Sequence, residues 1–359
     1  MLTFAIPHVG SRICDAAMLS THADHFSLTR TGSLEPALLF ELAARNNISL
    51  PSPSVDPAFE TTTTLLARYR RFTSLDDFLH YYFIGMSVLI TASDFESLGY
   101  EYFKRAHGDG LVHAEVFFDP QAHTARGVSY RTVIDGFTTA QRRAKADFGI
   151  TSELIVCMLR HLPPADCDAM YRTAIPDFEA GVIKGLGLDS TEKGNPPILF
   201  KDTYADAERR GFQRTAHAGE EAGVDYMVSA LHDLHVTRVD HGIKLPEDPK
   251  VMKEFADRKV MVTLCPLSNV ELRCVKKVAE LPVRTYLDQG VRFSINSDDP
   301  AYFGGYILDN YCAVQDAFGL SKSEWARVVT QSIEGSWCGD ARKEEMKKML
   351  DQVMNKFDS

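Results

Sequence analysis

The residues best suited to chemistry in this chain lie in short clusters, each at the end of an apolar run. They are His217 with Glu220, Asp240 with His241, Ser268 with Asn269, and Asp298 with Asp299. Two adjacent carboxylates repel each other unless a cation or a hydrogen-bond donor separates them. Histidines and carboxylates that leave one coordination position open are the ligand set of a hydrolytic zinc, which activates water near neutral pH. The clusters therefore indicate a metal-dependent hydrolase, provided that the fold brings them together.

Each cluster also has a structural explanation. His217 could be a hydrogen-bonded core histidine, and Glu220 could be favoured near the start of a helix by the helix dipole. Asp298 and Asp299 precede a proline, and Asp-Pro is typical of a turn. Gly219 weakens the structural explanation, because a sharp turn there would expose both His217 and Glu220.

The elements that must position these clusters follow from the pattern after residue 110. Seven apolar runs alternate there with longer helical patterns, such as 176–180 and 248–258. Each run is short and continuously apolar in its first half, as in a strand buried on both faces. The runs are 111–120, 153–160, 182–190, 213–220, 236–243, 260–269 and 291–300.

Alternating strands and helices predict a parallel sheet with right-handed crossovers. With an eighth strand before residue 110, the α/β fold becomes a single (β/α)8 TIM barrel. The segment 36–108 has a helical pattern and is expected to be an insertion after the first strand, and the last part of the chain predicts C-terminal helices. In a barrel the carboxyl ends of all strands share one face, so we expect the polar clusters to converge.

Composition excludes several classes of protein. The 359 residues carry a formal net charge of -10, which argues against a nucleic-acid footprint. No apolar run approaches the roughly 20 residues that span a bilayer. The first residues lack the pattern of a secretory signal, and seven cysteines without a CxxC pair indicate reduced thiols. A cytoplasmic protein is expected, with a nuclear pool left open.

Other candidate residues are weaker. His232 and His235 are expected on a solvated helix face, although their spacing also suits a metal. His113 and His161 lie near strand runs and are expected to be hydrogen-bonded structural residues. Cys265 has no nearby pattern for a base and is not predicted to be a nucleophile.

The motifs TAHAGEE, VDHGI, TLCPLSN and SINSDDPAYFGGYI together resemble the adenosine/adenine deaminase family of zinc amidohydrolases. LVHAEVFFDPQAHTARG, LDSTEKGNPP and GSWCGDARK resemble its fungal adenine deaminase branch, and the likeness covers about residues 32–355. The resemblance implies a Zn²⁺ cofactor with His217 and Asp298 as ligands and Glu220 as the proton donor to purine N1. It also implies that His241 orients or activates the attacking hydroxide, and that Asp299 hydrogen-bonds purine N7.

The implied activity is hydrolysis of a cyclic amidine C–N bond in purine salvage. Adenine would give hypoxanthine and ammonia, so the partner would be a small purine base, with no nucleic acid and no membrane. Two alternatives remain open at this point. One is an adenosine deaminase, and the other is a non-catalytic purine-binding relative that lacks zinc.

The N-terminal segment departs from the family pattern, in which the first strand ends in His-x-His. Aligned backwards from Gly32, Ser27 and Thr29 stand at the two histidine positions. His22 and His25 are out of register, because a spacing of three places them on opposite faces of a strand. Residues 1–31 are therefore an atypical N-terminal segment before a barrel domain at 32–359.

Three hypotheses explain this departure. The chain is a catalytically silent relative, it recruits His22 or His25 by distorting the first strand, or its first thirty residues are wrongly translated. The third is preferred, because the likeness stops abruptly while the downstream motifs are intact.

Overall fold

The computed structural model describes residues 2–5 and 34–356 of the chain. Its strands are β1 (Leu2–Ala5), β2 (Leu111–Phe118), β3 (Thr151–Leu159), β4 (Ile183–Asp189), β5 (Gln213–Ala218), β6 (Arg238–His241), β7 (Met261–Leu264) and β8 (Arg292–Ile295). Its α-helices are α1 (Pro36–Arg45), α2 (Thr62–Tyr69), α3 (Leu75–Met86), α4 (Ala92–Gly108), α5 (Gln121–Thr124), α6 (Tyr130–Phe148), α7 (Pro164–Glu179), α8 (Lys201–Arg209), α9 (Val224–His232), α10 (Pro249–Arg258), α11 (Pro266–Glu271), α12 (Val283–Gln289), α13 (Pro300–Phe303), α14 (Ile307–Phe318), α15 (Lys322–Gly335) and α16 (Asp340–Lys356). Strands and helices alternate from β2 onwards.

Strands β2 to β8 form a parallel sheet in which each strand pairs with the next one along the chain. The register places His217 of β5 beside Asp240 of β6, and Ala218 beside His241. The prediction of seven parallel strands after residue 110 is confirmed. Their carboxyl ends lie along one edge, which is where α/β barrels build their active sites.

Strand β1 differs from the first strand of the predicted barrel. It pairs antiparallel with β2, from Leu2 opposite Glu115 to Ala5 opposite Leu111, whereas a (β/α)8 barrel needs a parallel strand there. The pairing supplies partners for backbone groups that an edge strand would leave open. Ser27, Thr29, His22 and His25 lie outside the described residues, so the predicted closure by a parallel first strand stays a prediction.

Helices α1 to α4 occupy the segment that was predicted to be helical before β2. Ser74 begins α3 by accepting a hydrogen bond from the N–H of Asp77 at 3.2 Å, a common N-cap contact. The Phe78 ring of α3 then packs against Phe303 of α13, with ring centroids 4.8 Å apart. This contact brings Phe78 and Tyr82 to the carboxyl edge of the sheet, where both line a cavity.

The interior of the sheet at its other end is filled by Trp337, which follows α15. Its ring packs with Phe117, Ile155 and Cys157 in a small separate cluster. A Cβ built on Gly185 of β4 would lie 2.1 Å from the Trp337 ring, so this contact requires glycine. The chain after α15 is therefore part of the sheet interior.

Candidate active site

Three of the sequence-predicted residues come together at the carboxyl edge of the sheet. His217 lies in β5, His241 ends β6, and Asp298 follows β8. Their potential ligand atoms all lie within 4.8 Å of one another. The convergence inferred from the strand pattern is therefore present in the fold.

Two of these residues have an unusual backbone. His241 has φ 62° and Asp298 has φ 54°, which is the left-handed region that residues with a Cβ seldom adopt. Such conformations persist only where the surrounding structure enforces them, and they concentrate at functional sites. The strand ends of β6 and β8 are thus held in the turns that direct both side chains inward.

The protonation of these ligand candidates suits metal binding. Burial lowers the pKa of His241 to about 4, so its ring is neutral. Burial raises the pKa of Asp298, but attraction to His241 and a hydrogen bond from Ser268 Oγ at 2.6 Å lower it overall. The side-chain amide of Asn269 lies 3.2 Å from His241 Nδ1. Ser268 and Asn269, both selected from the sequence, therefore orient the two groups.

Asp240 has a supporting position. Its carboxylate accepts hydrogen bonds from Thr215 and Thr263 and lies 3.4 Å from Nδ1 of His217. Metal-ligating histidines commonly direct their other ring nitrogen at a carboxylate in this way. We therefore interpret Asp240 as a residue that orients the His217 ring.

Glu220 lies beside the three converging residues and is almost completely buried. Its side chain is 3% exposed, and Oε1 lies 3.6 Å from His241 Nδ1. Within the described part of the chain, no group donates a hydrogen bond to that oxygen. Burial, and next the charge of Asp298, raises the pKa of Glu220 well above its ordinary value. The protonated form of Glu220 is therefore favoured beside the three converging residues.

Asp299 also differs from its neighbour in protonation. Burial, and then the charge of Asp298, raises the pKa of Asp299 well above its ordinary value. These opposite pKa shifts reduce the repulsion expected between the adjacent carboxylates. They favour an ionised Asp298 beside a protonated Asp299. Both line the same cavity.

One cavity, which is partly open to solvent, is lined by His217, Glu220, His241, Asp298 and Asp299. Its wall combines these polar residues with apolar side chains from α3, from the strand ends and from the residue after α11. The apolar members are Leu75, Phe78, Leu79, Phe117, Leu159 and Leu272.

Glu192 is a functional residue that sequence reasoning missed. It is 1% exposed, and its carboxylate accepts hydrogen bonds from the backbone N–H groups of four consecutive residues, 219 to 222, at 2.6 to 3.1 Å. Arg160 Nη1 donates to the carbonyl oxygen of His217 at 2.7 Å. These contacts fix the loop that carries Glu220. The motif LDSTEKGNPP includes Glu192, but its spacing alone does not reveal that the loops after β4 and β5 meet.

Asp119 and Asp189 also line the cavity and were not selected from the sequence. Asp119 follows β2 and Asp189 ends β4. The same signal that selected Asp298, a carboxylate after an apolar run, could have found both.

The weaker candidates lie outside the group of three converging residues. His113 and His161 each place Nδ1 2.7 Å from a hydroxyl, of Thr151 and Ser190 respectively. His232 and His235 lie near the surface beside carboxylates, Glu254 and Glu208. Cys265 is buried, and burial raises the pKa of its thiol.

A parallel α/β sheet with histidines and carboxylates along its carboxyl edge defines a class, the barrel-type hydrolytic enzymes. The sequence pattern of one family in that class, described as adenosine deaminase, matches residues 21–356. The chain belongs to the adenosine deaminase family. Among the described residues, none of the helices is long and apolar enough to cross a membrane.

Individual members of this family are similar over most of the chain. An adenine deaminase of Emericella nidulans is 50% identical, over 91% of this chain and 91% of its own. One of Aspergillus fumigatus is 52% identical, over 90% of this chain and 92% of its own. The crystal structure of adenine deaminase from Arthrobacter aurescens superimposes with a TM-score of 0.84 at 39% identity, covering 90% of this chain and 96% of its own.

Proposed function

We propose that this protein is a zinc-dependent adenine deaminase, which hydrolyses adenine to hypoxanthine and ammonia. The observation that carries the proposal is the convergence of His217, His241 and Asp298 within 4.8 Å, next to the buried acid Glu220. The adenine deaminases that are about 50% identical over nine-tenths of the chain support adenine as the substrate.

The donor set fits a catalytic zinc ion. Two imidazoles and one carboxylate are ligands that zinc accepts, and three protein ligands leave the fourth position for water or substrate. His217, His241 and Asp298 would hold the ion. When bound, zinc acts as a Lewis acid that makes water nucleophilic near neutral pH. His241 was assigned from the family resemblance to orienting the nucleophile, and its neutral ring suits either role.

The residues of the chain supply the remaining chemistry. Protonated Glu220 donates its proton to purine N1 while water adds at C6, which relieves the charge that develops on the ring. Protonated Asp299 donates a hydrogen bond to N7. After addition, Glu220 accepts one proton from the added water and delivers it to the departing amino group, and the second proton of the added oxygen returns to Glu220 as the C6 carbonyl forms. The overall balance is adenine plus water to hypoxanthine plus ammonia.

The altered N-terminal segment bears on zinc affinity. The family pattern places two further histidine ligands where Ser27 and Thr29 stand, and hydroxyls are poor zinc ligands compared with imidazole. We expect this protein to bind zinc through only three residues, and therefore more weakly than a protein with both histidines of the family pattern. The double variant S27H/T29H is expected to bind zinc at least about tenfold more tightly in competition with a chelator.

Matched controls test the rival explanations of this segment. The variants H22A and H25A should leave zinc affinity unchanged. A loss in either one would mean that the first strand recruits that histidine. No gain in the double variant would mean that the register assigned to Ser27 and Thr29 is wrong.

The deciding experiment measures hypoxanthine formation from adenine by the purified protein with zinc supplied, and adenosine turnover in parallel. Preference for adenine is expected. Faster turnover of adenosine would replace the proposal with an adenosine deaminase. Purine binding without zinc and without turnover would identify a non-catalytic relative.

A further inference from the structure

A second group of acidic side chains lies in the same cavity, away from the proposed metal ligands. Asp119 follows β2 and Asp189 ends β4, so the two flank β3, whereas the proposed ligands come from β5, β6 and β8. The potential metal-ligand atoms of Asp119, Asp189 and Cys157 lie within 4.8 Å of one another. Both aspartates line the cavity together with Glu220.

Two carboxyl groups at this separation cannot both be ionised without a large cost. Tyr82 donates its O–H to Asp119 Oδ2 at 2.7 Å. Burial, and next the charge of Asp119, raises the pKa of Asp189 well above its ordinary value. This shift favours the protonated form of Asp189.

Asp189 is hydrogen-bonded to Asp119 and Cys157, but the pair retains further capacity at its Oδ1 atoms. Across residues 34–356, neither Oδ1 of Asp119 nor Oδ1 of Asp189 receives a donor. Oε1 of the buried Glu220, which lines the same cavity, is likewise without one. A cation is a weaker explanation for the pair, because burial raises the pKa of the Cys157 thiol and keeps it neutral. A polar ligand that spans the cavity would satisfy both ends.

A free purine base has the complementary edges. If its N1 and C6 face Glu220, the opposite edge presents N3, an acceptor, next to N9–H, a donor. A protonated carboxyl offers one donor and one acceptor, which matches that edge. A nucleoside carries its sugar on N9 and has no hydrogen there.

We propose that Asp119 and Asp189 read the N3/N9–H edge of a free purine base and thereby exclude purines substituted at N9. This inference rests on the proposed function, because it takes the orientation of the purine from Glu220. The acidic pair then determines that the protein prefers a free purine base to a nucleoside as its substrate.

The first test compares adenine with 9-methyladenine, in which a methyl group replaces the N9 hydrogen. A site built to bond a substrate N–H discriminates strongly against an analogue without it, so kcat/KM should fall at least about 100-fold. Ratios within tenfold would overturn the inference while the proposed function stands. If neither compound reacts, the proposed function fails, and calorimetric binding of hypoxanthine against 9-methylhypoxanthine still tests the pair.

The second test changes the pair itself. Asp189→Leu should raise KM for adenine at least about 100-fold. It should also bring the kcat/KM values for adenine and 9-methyladenine within tenfold of each other. Asp189→Asn keeps one donor and one acceptor and should recover at least tenfold of that loss. The exposed Asp76, which accepts a hydrogen bond from Thr191 outside the cavity wall, provides the control D76N, with unchanged kinetics.

Metal content and melting temperature complete this test. A variant that melts like the parent and keeps the same zinc content, yet loses selectivity, supports the inference. Equal losses in the leucine and asparagine variants would indicate a structural role and overturn it. So would a second metal ion per chain that disappears in Asp189→Leu.

Discussion

At the scale of single residues, the candidate site depends on groups that do not touch the purine. Glu192 binds the loop after β5 through four backbone N–H groups, and Asn269 and Ser268 orient His241 and Asp298. The position of each reacting group is thus set by a second polar residue behind it. Catalytic groups need this kind of support to keep a productive geometry.

Replacing Glu192 tests this support. Glu192→Ala leaves four N–H groups without their acceptor, and we expect a loss of about 2–4 kcal/mol in the free energy of unfolding. Turnover should fall more than tenfold with little change in KM. Urea denaturation and steady-state kinetics measure the two effects.

The control for this variant lies on the surface of α16. Glu344 pairs there with Lys347 at 3.1 Å and is 63% exposed, and surface ion pairs contribute about 0–1 kcal/mol. E344A should therefore stay close to the parent in both measurements. Equal effects of the two variants would contradict the role assigned to Glu192.

Glu220→Gln separates proton transfer from zinc binding. The amide keeps the size of the side chain but cannot donate the acid proton, so kcat should fall about 10²- to 10⁴-fold. Zinc content, measured by atomic absorption, should stay the same because the proposed ligands remain. The variant is made in the unaltered protein or in S27H/T29H, whichever turns over adenine. Unchanged turnover would show that Glu220 is not the proton donor.

At the scale of elements, the sequence predicted the strands better than their boundaries. The apolar run 236–243 contains β6 at Arg238–His241, and 260–269 contains β7 at Met261–Leu264. The polar residues at the end of the second run extend past its strand, because the chain turns there into α11. The helix predicted to begin at Pro176 begins at Pro164 instead, and Pro176 lies inside it. Proline is typical of the first turn of a helix, so its position was misleading.

The joint between α1 and α4 gives a prediction about acid stability. Asp94, with a side chain 1% exposed, accepts hydrogen bonds from Arg45, Asn46 and the N–H groups of Ile90 and Thr91. Burial raises the pKa of Asp94, but these bonds outweigh it and lower the pKa overall. A lowered pKa contributes stability above the ordinary value of about 3.9, and this is lost as the pH falls through the folded-state pKa.

We therefore expect Asp94→Asn to cost about 1–3 kcal/mol at pH 7 and progressively less below pH 4. Denaturant titrations at several pH values measure the difference between the two proteins. D135N on the exposed face of α6, where Asp135 pairs with Arg131 at 3.4 Å, is the control and should show little change at either pH. A cost that is independent of pH would show that the charge of Asp94 does not matter.

The contact between Gly185 and Trp337 ties two distant elements, β4 and the chain after α15. In Gly185→Ala the new methyl group meets the indole ring, and overpacking of this kind costs about 1–3 kcal/mol. Thermal melting measures the loss. Gly339→Ala, two residues beyond Trp337 with nothing within 4 Å of the added atom, should melt like the parent, and similar losses in both would contradict the assignment.

At the scale of the whole molecule, the predicted architecture and the described one agree where the sequence pattern is strong. His217, His241, Asp298 and Glu220 meet because parallel strands put their carboxyl ends on one edge, and this follows from the order of strands and helices. Asp119 and Asp189 end apolar runs and could have been selected by the same signal, but Glu192 could not. The role of Glu192 depends on two loops that approach each other in space, which no spacing along the chain reports.

The position of Trp337 has a consequence for how the protein is made. The ribosome synthesises the chain from its N-terminus, and Trp337 emerges only after all the described strands. Until then the lower interior of the sheet, around Gly185 and Cys157, lacks the ring that fills it. A nascent chain stopped before residue 337 would expose this apolar interior, so we expect prematurely terminated products to be recognised by chaperones and degraded.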